Sequence, residues 1–279
     1  LTAEGVNLFN DEMDPIDKPH SHIDWDVSAA EKGGYPHFML KEIFEQPEAV
    51  RKTVSPRVRE GRVVLDDLRL TKEYIQGVSR IFIVACGSSY HVGMVGKYTL
   101  ERLLRRPVEV CLASEFRYCD PLVDDHSLVI FISQSGETLD TMAALREAKR
   151  RGGRTLAVVN VVGSSIAREA DYCLYTYAGP EIAVASTKAY SVQVAMMYLL
   201  GFRIAADKGA PMDWCRRQLP KLLNAVSYLP HVLAMEPEFF RYAEGLKNAE
   251  HLFYLGRGLD YSLAMAVSYT HLTLPTKLE

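Results

Sequence analysis

Leu128-Val-Ile-Phe-Ile132, followed at once by Ser133-Gln-Ser-Gly-Glu-Thr138, decides how this chain reads. Four of the five apolar residues are β-branched or aromatic, and no polar residue alternates with them. That is the pattern of a short strand buried on both faces. A helical pattern runs from Thr138 to about Arg151, so the order is strand, hydroxyl-rich turn, helix. The first backbone N–H groups of a helix have no intrahelical partner, and the helix dipole adds partial positive charge there. Such a turn can hold a phosphate without a metal or a lysine. Ser133, Ser135 and Thr138 add hydroxyls, Gln134 adds an amide, and Gly136 lets the backbone come close to a ligand. An ordinary N-cap would need only one of these side chains, with Ser135 the candidate. For this turn alone, cap and cradle both stand.

The same pattern recurs on either side. Apolar runs at Ile81–Ala85, Val108–Leu112, Leu156–Val161 and Tyr172–Tyr177 predict four more strands. Helical patterns fall near His91–Leu104, Ser165–Ala170 and Thr187–Asp207, with Gly152-Gly153 closing the helix that starts at Thr138. Alternation of this kind predicts a parallel sheet in a three-layer α/β/α unit with right-handed crossovers. Ligands of such sheets sit beyond the C-terminal strand ends. Two further hydroxyl-bearing turns reach that edge, Cys86-Gly-Ser-Ser-Tyr90 and Glu181-Ile-Ala-Val-Ala-Ser-Thr-Lys-Ala189. Each alone reads as a helix start, with Lys188 an ordinary surface residue. Three together suggest a polyol phosphate site.

Composition narrows the classes. The chain has 279 residues, 48% apolar and 24% charged, with a net charge of −3. That suits a globular protein with a sizeable core and gives no basic field for nucleic acid. The basic runs Arg102–Arg106 and Lys149–Arg154 fall at helix C-termini, where cations complement the dipole. Cys86, Cys111, Cys119, Cys173 and Cys215 are scattered without a CxxC pair, which predicts small buried thiols in a reducing compartment, with neither zinc nor disulfides. The opening residues carry no leader pattern, and Val192–Ala206 is short for a membrane span and contains Arg203. A cytoplasmic protein off the membrane is expected. His20 and His22 lack a third ligand and read as loop, Ile23–Asp26 as a short strand, and a helix is expected after Pro36.

Beyond Lys208-Gly-Ala-Pro211, helices are expected near Asp213–Leu223 and Glu238–Leu246, then a strand at Leu252–Leu255. Arg80–Tyr90 and His251–Tyr261 align as strand, glycine turn and helix start, Gly87 falling on Gly258, which suggests the first unit of a second, similar domain. The helix beginning near Tyr261 is expected to fail at Thr270, Thr273 and Pro275, so residues 268–279 read as a foreign tail.

CGSSYHVG (from Cys86), ASEFRY (Ala113–Tyr118), SQSGET (from Ser133), GPEIAVASTKAY (from Gly179) and LGRG (from Leu255) occur here in one order. Together they resemble the isomerase part of the glutamine–fructose-6-phosphate aminotransferases, and AEKGGYPHFMLKEIFEQP (from Ala30) is similar to that family's linker. The resemblance covers roughly residues 20 to 266 and implies the SIS (sugar isomerase) fold in two copies. It implies remnants of a glutaminase domain and linker over 1–40, a first SIS domain over 41–215 and the start of a second over 216–267.

By that resemblance Ser133, Gln134, Ser135 and Thr138 bind a sugar phosphate, with Ser88 and Ser89 contributing to the same site. Val184, through its backbone, and Ser186 contact the sugar. Ser88 stands where the family often has threonine, and Ala183 where it has glycine. The implied reaction moves ammonia from glutamine onto fructose 6-phosphate and yields glucosamine 6-phosphate, without a cofactor, in a homodimeric full enzyme. The family's glutaminase cysteine lies upstream of Leu1, and its isomerase glutamate, ring-opening histidine and Schiff-base lysine lie beyond LGRG. Glu137 and Glu181 match none of them and are expected to be structural. Sugar-phosphate binding without turnover is the expectation. A SIS-type sugar-phosphate sensor and a small dimeric phosphosugar isomerase are the alternatives, the latter needing a catalytic histidine for which only His91 is near.

Overall fold

The computed structural model describes residues 5–17, 31–66, 68–210 and 212–273. The expected strand at Ile23–Asp26 lies outside these residues. Two small antiparallel ladders come first: β1 (Leu8–Phe9) with β2 (Pro15–Ile16), and β3 (Val58–Arg59) with β4 (Arg62–Val63). Helix α1 (Phe38–Val54) lies between them, starting just after Pro36. After α2 (Lys72–Gly77) the alternation begins: β5 (Arg80–Ala85), α3 (Gly87–Leu104), β6 (Val108–Leu112), α4 (Ala113–Phe116), β7 (Ser127–Ser133), α5 (Leu139–Arg150), β8 (Arg154–Val159), α6 (Ser165–Glu169), β9 (Tyr172–Tyr175) and α7 (Lys188–Asp207). The chain continues with α8 (Met212–Leu233), α9 (Glu236–Leu246) and α10 (Leu259–Thr273).

The five long strands form one parallel sheet in the order β6-β5-β7-β8-β9. Its strands alternate their side chains between two cores. Ile81, Ile83 and Ala85 of β5 join Ile130 and Ile132 of β7 under α1, α3 and α7. Phe82 and Val84 join Val129 and Phe131 under α4, α5 and α6. Every residue of β7 is buried, which explains why it reads as one apolar run rather than an alternating one. The first crossover runs to one edge of the sheet over the α3 face, and the later ones run the other way over the opposite face. The strand order therefore reverses at β5 and β7, and their C-terminal turns diverge from adjacent strand ends.

Helix α7 is long and apolar enough to cross a membrane by length and composition, yet 67% of that window is buried inside the protein, as in a core helix. The basic runs sit where the dipole favours them. Lys149 and Arg150 occupy the last turn of α5, and Arg151 pairs with Glu147 at 2.6 Å and Asp120 at 2.7 Å. Cys86, Cys111 and Cys173 are half-buried thiols, whereas Cys119 is exposed, contrary to the expectation of burial.

Three expectations for the C-terminal part are corrected. Leu252–Leu255 is not a strand: no other strand among the described residues pairs with it, and Phe253 and Leu255 are 86% and 89% exposed. Helix α10 does not break at Ser268 but runs through Thr270 to Thr273, since a threonine costs a helix only a fraction of a kcal/mol. Helix α8 extends ten residues past Leu223, through Pro220 and Pro230. The internal echo survives at its turn. Gly87 (φ +55°) and Gly258 (φ +62°) share the left-handed conformation, and a helix follows each. Helix α10 packs on α3.

Phe131 is fully buried in the middle of the sheet. Phe131→Ala is expected to lower unfolding free energy by about 3–5 kcal/mol, read from the midpoint of urea unfolding. A loss under about 1 kcal/mol would contradict a close-packed α4–α6 face.

Candidate functional site

The turn after β7 is a closed hydrogen-bonded loop. Gly136 N–H donates to Ser133 Oγ at 3.0 Å, and Glu137 N–H donates to Ser135 Oγ at 3.2 Å. Ser133 Oγ and Thr138 Oγ1 lie 3.4 Å apart. A serine oxygen that accepts a backbone N–H keeps its own proton to donate. The N-cap position of α5 is Thr138, not Ser135, and its side chain makes no capping bond. The capping explanation thus fails at the position where it must hold. Gly136 has φ +67°, and a Cβ on it would fall 2.1 Å from Ser164 Oγ, so the turn admits no side chain there. That Ser164 hydroxyl is buried without a hydrogen-bond partner.

The turn after β5 stands beside it. Ala85 pairs with Ile132 in register, so Cys86 and Ser133 leave neighbouring strand ends. Thr141 Oγ1 approaches Cys86 Sγ at 3.9 Å. Ser88 and Ser89 occupy the first turn of α3, whose N-cap, Cys86, makes no side-chain capping bond. Ser89 Oγ donates to Gln193 Oε1 of α7 at 3.0 Å, tying this turn to the helix that follows the third one.

The third turn has a different construction. Glu181 Oε1 accepts from Thr187 and Ala189 N–H, both at 3.0 Å, and Oε2 accepts from Ser186 Oγ at 2.8 Å. Glu181 therefore caps α7, the structural role expected of it. Burial pushes its carboxyl above the usual range, against the pull of those three donors. Ser186 is engaged within the turn, and Val184 is half exposed. Ala183, standing for a glycine, does not occupy the left-handed region, so its Cβ brings no backbone strain. Lys188 corrects the surface reading. It is 3% exposed, and its amine pairs with Glu45 Oε2 at 2.5 Å.

Asn160, just past the end of β8, joins the turn after β7 to the loop after β9. Its N–H donates to Gln134 O at 3.1 Å and its Nδ2 to Gly179 O at 2.7 Å, while its Oδ1 accepts from Ala178 N–H at 2.7 Å. The eight candidate residues fall on the three turns that follow the C-terminal ends of β5, β7 and β9: Ser88 and Ser89 on the first, Ser133, Gln134, Ser135 and Thr138 on the second, Val184 and Ser186 on the third. Sequence reasoning passed over Asn160, Ser164 and the α1 residues Glu42, Glu45 and Gln46. A clue in the sequence was the polar i, i+3, i+4 face of an otherwise core-facing helix.

Two carboxylates near the rim offer no free base. Glu137 accepts the Ser165 N–H at 2.7 Å, which holds it below the usual carboxylate range, and Glu181 is committed to α7. His91 is buried against Tyr269 of α10, and burial lowers its pKa. No group of three or more His, Cys, Asp or Glu that could hold a metal ion occurs among the described residues. A groove of about 680 Å3 opens elsewhere, along β6 and α3, lined by Met94, Lys97, Glu101 and Val110. None of the eight candidate residues lines it.

Comparison with known proteins bears on this rim. The family model of the SIS domain matches residues 74–203, the stretch that holds the sheet and the three turns. The glutamine–fructose-6-phosphate aminotransferases [isomerizing] of Clostridium acetobutylicum and Clostridium perfringens are 50% and 48% identical over 97% of this chain. The chain spans about half the length of these curated relatives, 46% in each case. Among solved structures, the C-terminal domain of glucosamine-fructose-6-phosphate aminotransferase from Francisella tularensis superposes with a TM-score of 0.81 at 39% identity, over 86% of this chain and 67% of that one. Identity at that level over that span goes beyond a shared fold, and the chain belongs to the glutamine–fructose-6-phosphate aminotransferase family, in the part that carries SIS domains.

Proposed function

We propose that this chain binds fructose 6-phosphate or glucosamine 6-phosphate at the rim formed by its three turns. In this reading Ser133, Gln134, Ser135 and Thr138 hold the phosphate with the first N–H groups of α5. Ser88 and Ser89 complete the same site, and the Val184 backbone and Ser186 meet the sugar. One observation carries the reading: α5 starts at Thr138 without a side-chain cap, beside two serines that accept backbone N–H groups and still have protons to donate. That arrangement suits a dianionic phosphate, because donors and dipole converge and no carboxylate among the described residues is needed to balance them.

The whole protein, in this account, transfers glutamine nitrogen to fructose 6-phosphate and isomerises the product as a cytoplasmic homodimer. The thiols of Cys86, Cys111 and Cys119 stand outside any disulfide, which agrees with a reducing compartment. Residues 1–40 serve as the end of a glutaminase domain and linker, 41–215 as the sugar-phosphate domain and 216–267 as the start of its second copy. The helix break on which the foreign reading of residues 268–279 rested is absent as far as Thr273, where α10 is still continuous. The 279-residue chain binds without turnover, since Glu137 and Glu181 are both committed to backbone groups and general base catalysis needs a positioned free one.

Titration calorimetry of the folded chain is expected to give heat with fructose 6-phosphate and glucosamine 6-phosphate, and no heat with either would overturn the reading. Ser135→Ala is expected to weaken binding about tenfold, leaving the melting temperature nearly unchanged; undiminished affinity would reduce Ser135 to a turn residue. Gly136→Ala is expected to abolish measurable phosphosugar binding, because its methyl would strike Ser164 and its backbone conformation disfavours any side chain. Removing the clash with Ser164→Gly is expected to restore binding only in part, the left-handed strain remaining at about 1 kcal/mol or more.

A further inference from the structure

Asn160, just past β8, holds the loop between β9 and α7 as far as Gly179, and beyond that residue the sheet gives it no hydrogen bond among those described. What holds it comes largely from α1. Glu42 Oε1 accepts two consecutive backbone N–H groups of that loop, Ile182 at 2.6 Å and Ala183 at 3.1 Å. One turn further along, Glu45 takes the buried Lys188 amine. Gln46 Oε1 accepts from Ser191 Oγ at 2.5 Å. Residues 42, 45 and 46 share one helix face at i, i+3 and i+4 spacing, and they engage 182, 183, 188 and 191 in the same order along the chain. Glu42 is 2% exposed. A carboxylate so buried is costly unless it does something that a nonpolar residue would not. Here it satisfies two amides that would otherwise be unpaired, and it does so next to the residues proposed to touch the sugar.

We propose that Glu42, supported by Glu45 and Gln46, is a positioning residue for phosphosugar binding: α1 fixes the shape of the sugar-contact loop 182–186 from outside the sheet. The inference rests on the proposed sugar-phosphate reading and adds to it. None of the three α1 side chains need touch the ligand. Glu42 orients the backbone entering Val184, while Glu181 orients the backbone leaving Ser186, so the loop is held at both ends by carboxylates from different elements.

The test uses the 279-residue chain with Glu42→Ala, Glu42→Gln and Val50→Ala. Val50 is buried in the apolar core on the same helix and has no polar atom to offer the loop's amides, so its truncation reports loss of packing. Glu42→Ala is expected to weaken fructose 6-phosphate binding about tenfold or more and to speed hydrogen exchange at the Ile182 and Ala183 amides. Glu42→Gln keeps an oxygen acceptor and is expected to stay within about threefold of wild type. Val50→Ala is expected to melt lower yet bind within about twofold. Should Glu42→Ala not fold, Glu42→Asp, whose carboxylate falls one methylene short, carries the same expectation of lost affinity and faster exchange. Wild-type affinity in Glu42→Ala, or an equal loss in Val50→Ala, would overturn the proposal. No heat from the wild type would instead overturn the sugar-phosphate reading itself. Faster exchange in Glu42→Ala would then still record the loop contact apart from it.

Discussion

The reversal of strand order at β5 and β7 is the constraint on which the rest of this structure depends. A parallel strand must be followed by a crossover, and crossovers keep one hand. Building β6 to one side of β5 and β7 to the other therefore sends α3 over one face and α4 to α6 over the opposite face. Both faces are then covered, which requires the strands to be apolar throughout. The two turns leaving β5 and β7 part company at the C-terminal rim. The rim and the core are consequences of the same topology.

The rim is assembled with polar contacts, unlike the sheet beneath it. Asn160 bridges the turns after β7 and β9 by main-chain and side-chain bonds. Glu181 caps α7, and Glu42 holds the loop that precedes it. Buried polar networks give little net stability compared with apolar packing, but they penalise misplacement strongly when a partner is lost. That asymmetry suits a binding rim whose geometry must be defined more narrowly than hydrophobic burial alone would define it. The carboxylates of Glu137 and Glu181 at this rim are both engaged by backbone N–H donors.

Much of this was legible in the sequence because parallel strands buried on both faces leave an unambiguous signature. Val108–Leu112 has the bounds expected of it, and the other four sheet strands differ by one or two residues at an end. The hydroxyl-rich turns were equally plain, since Ser, Gly and Thr cluster where strand gives way to helix. What escaped was nonlocal. Glu42 and Lys188 look like solvated charges in their own segments, and only the packing of α1 on α7 buries them. Leu252–Leu255 failed for the complementary reason: its pattern is that of a strand, but a strand exists only with a neighbour to pair with. Helix α10 persisted past Ser268 because tertiary contact with α3 outweighs the weak helix preferences of Thr270 and its neighbours.

The central claim is that the Ser133–Thr138 turn and the start of α5 are a phosphate cradle. Backbone amide chemical shifts of the folded chain, followed by NMR during titration with fructose 6-phosphate, test it most directly. The account predicts that the largest changes fall on Ser135, Gly136, Thr138 and Leu139, with smaller ones at Ser88, Ser89 and Val184. Saturable changes centred instead on the β6–α3 groove around Lys97 and Val110, with the Ser133–Thr138 amides still, would contradict it.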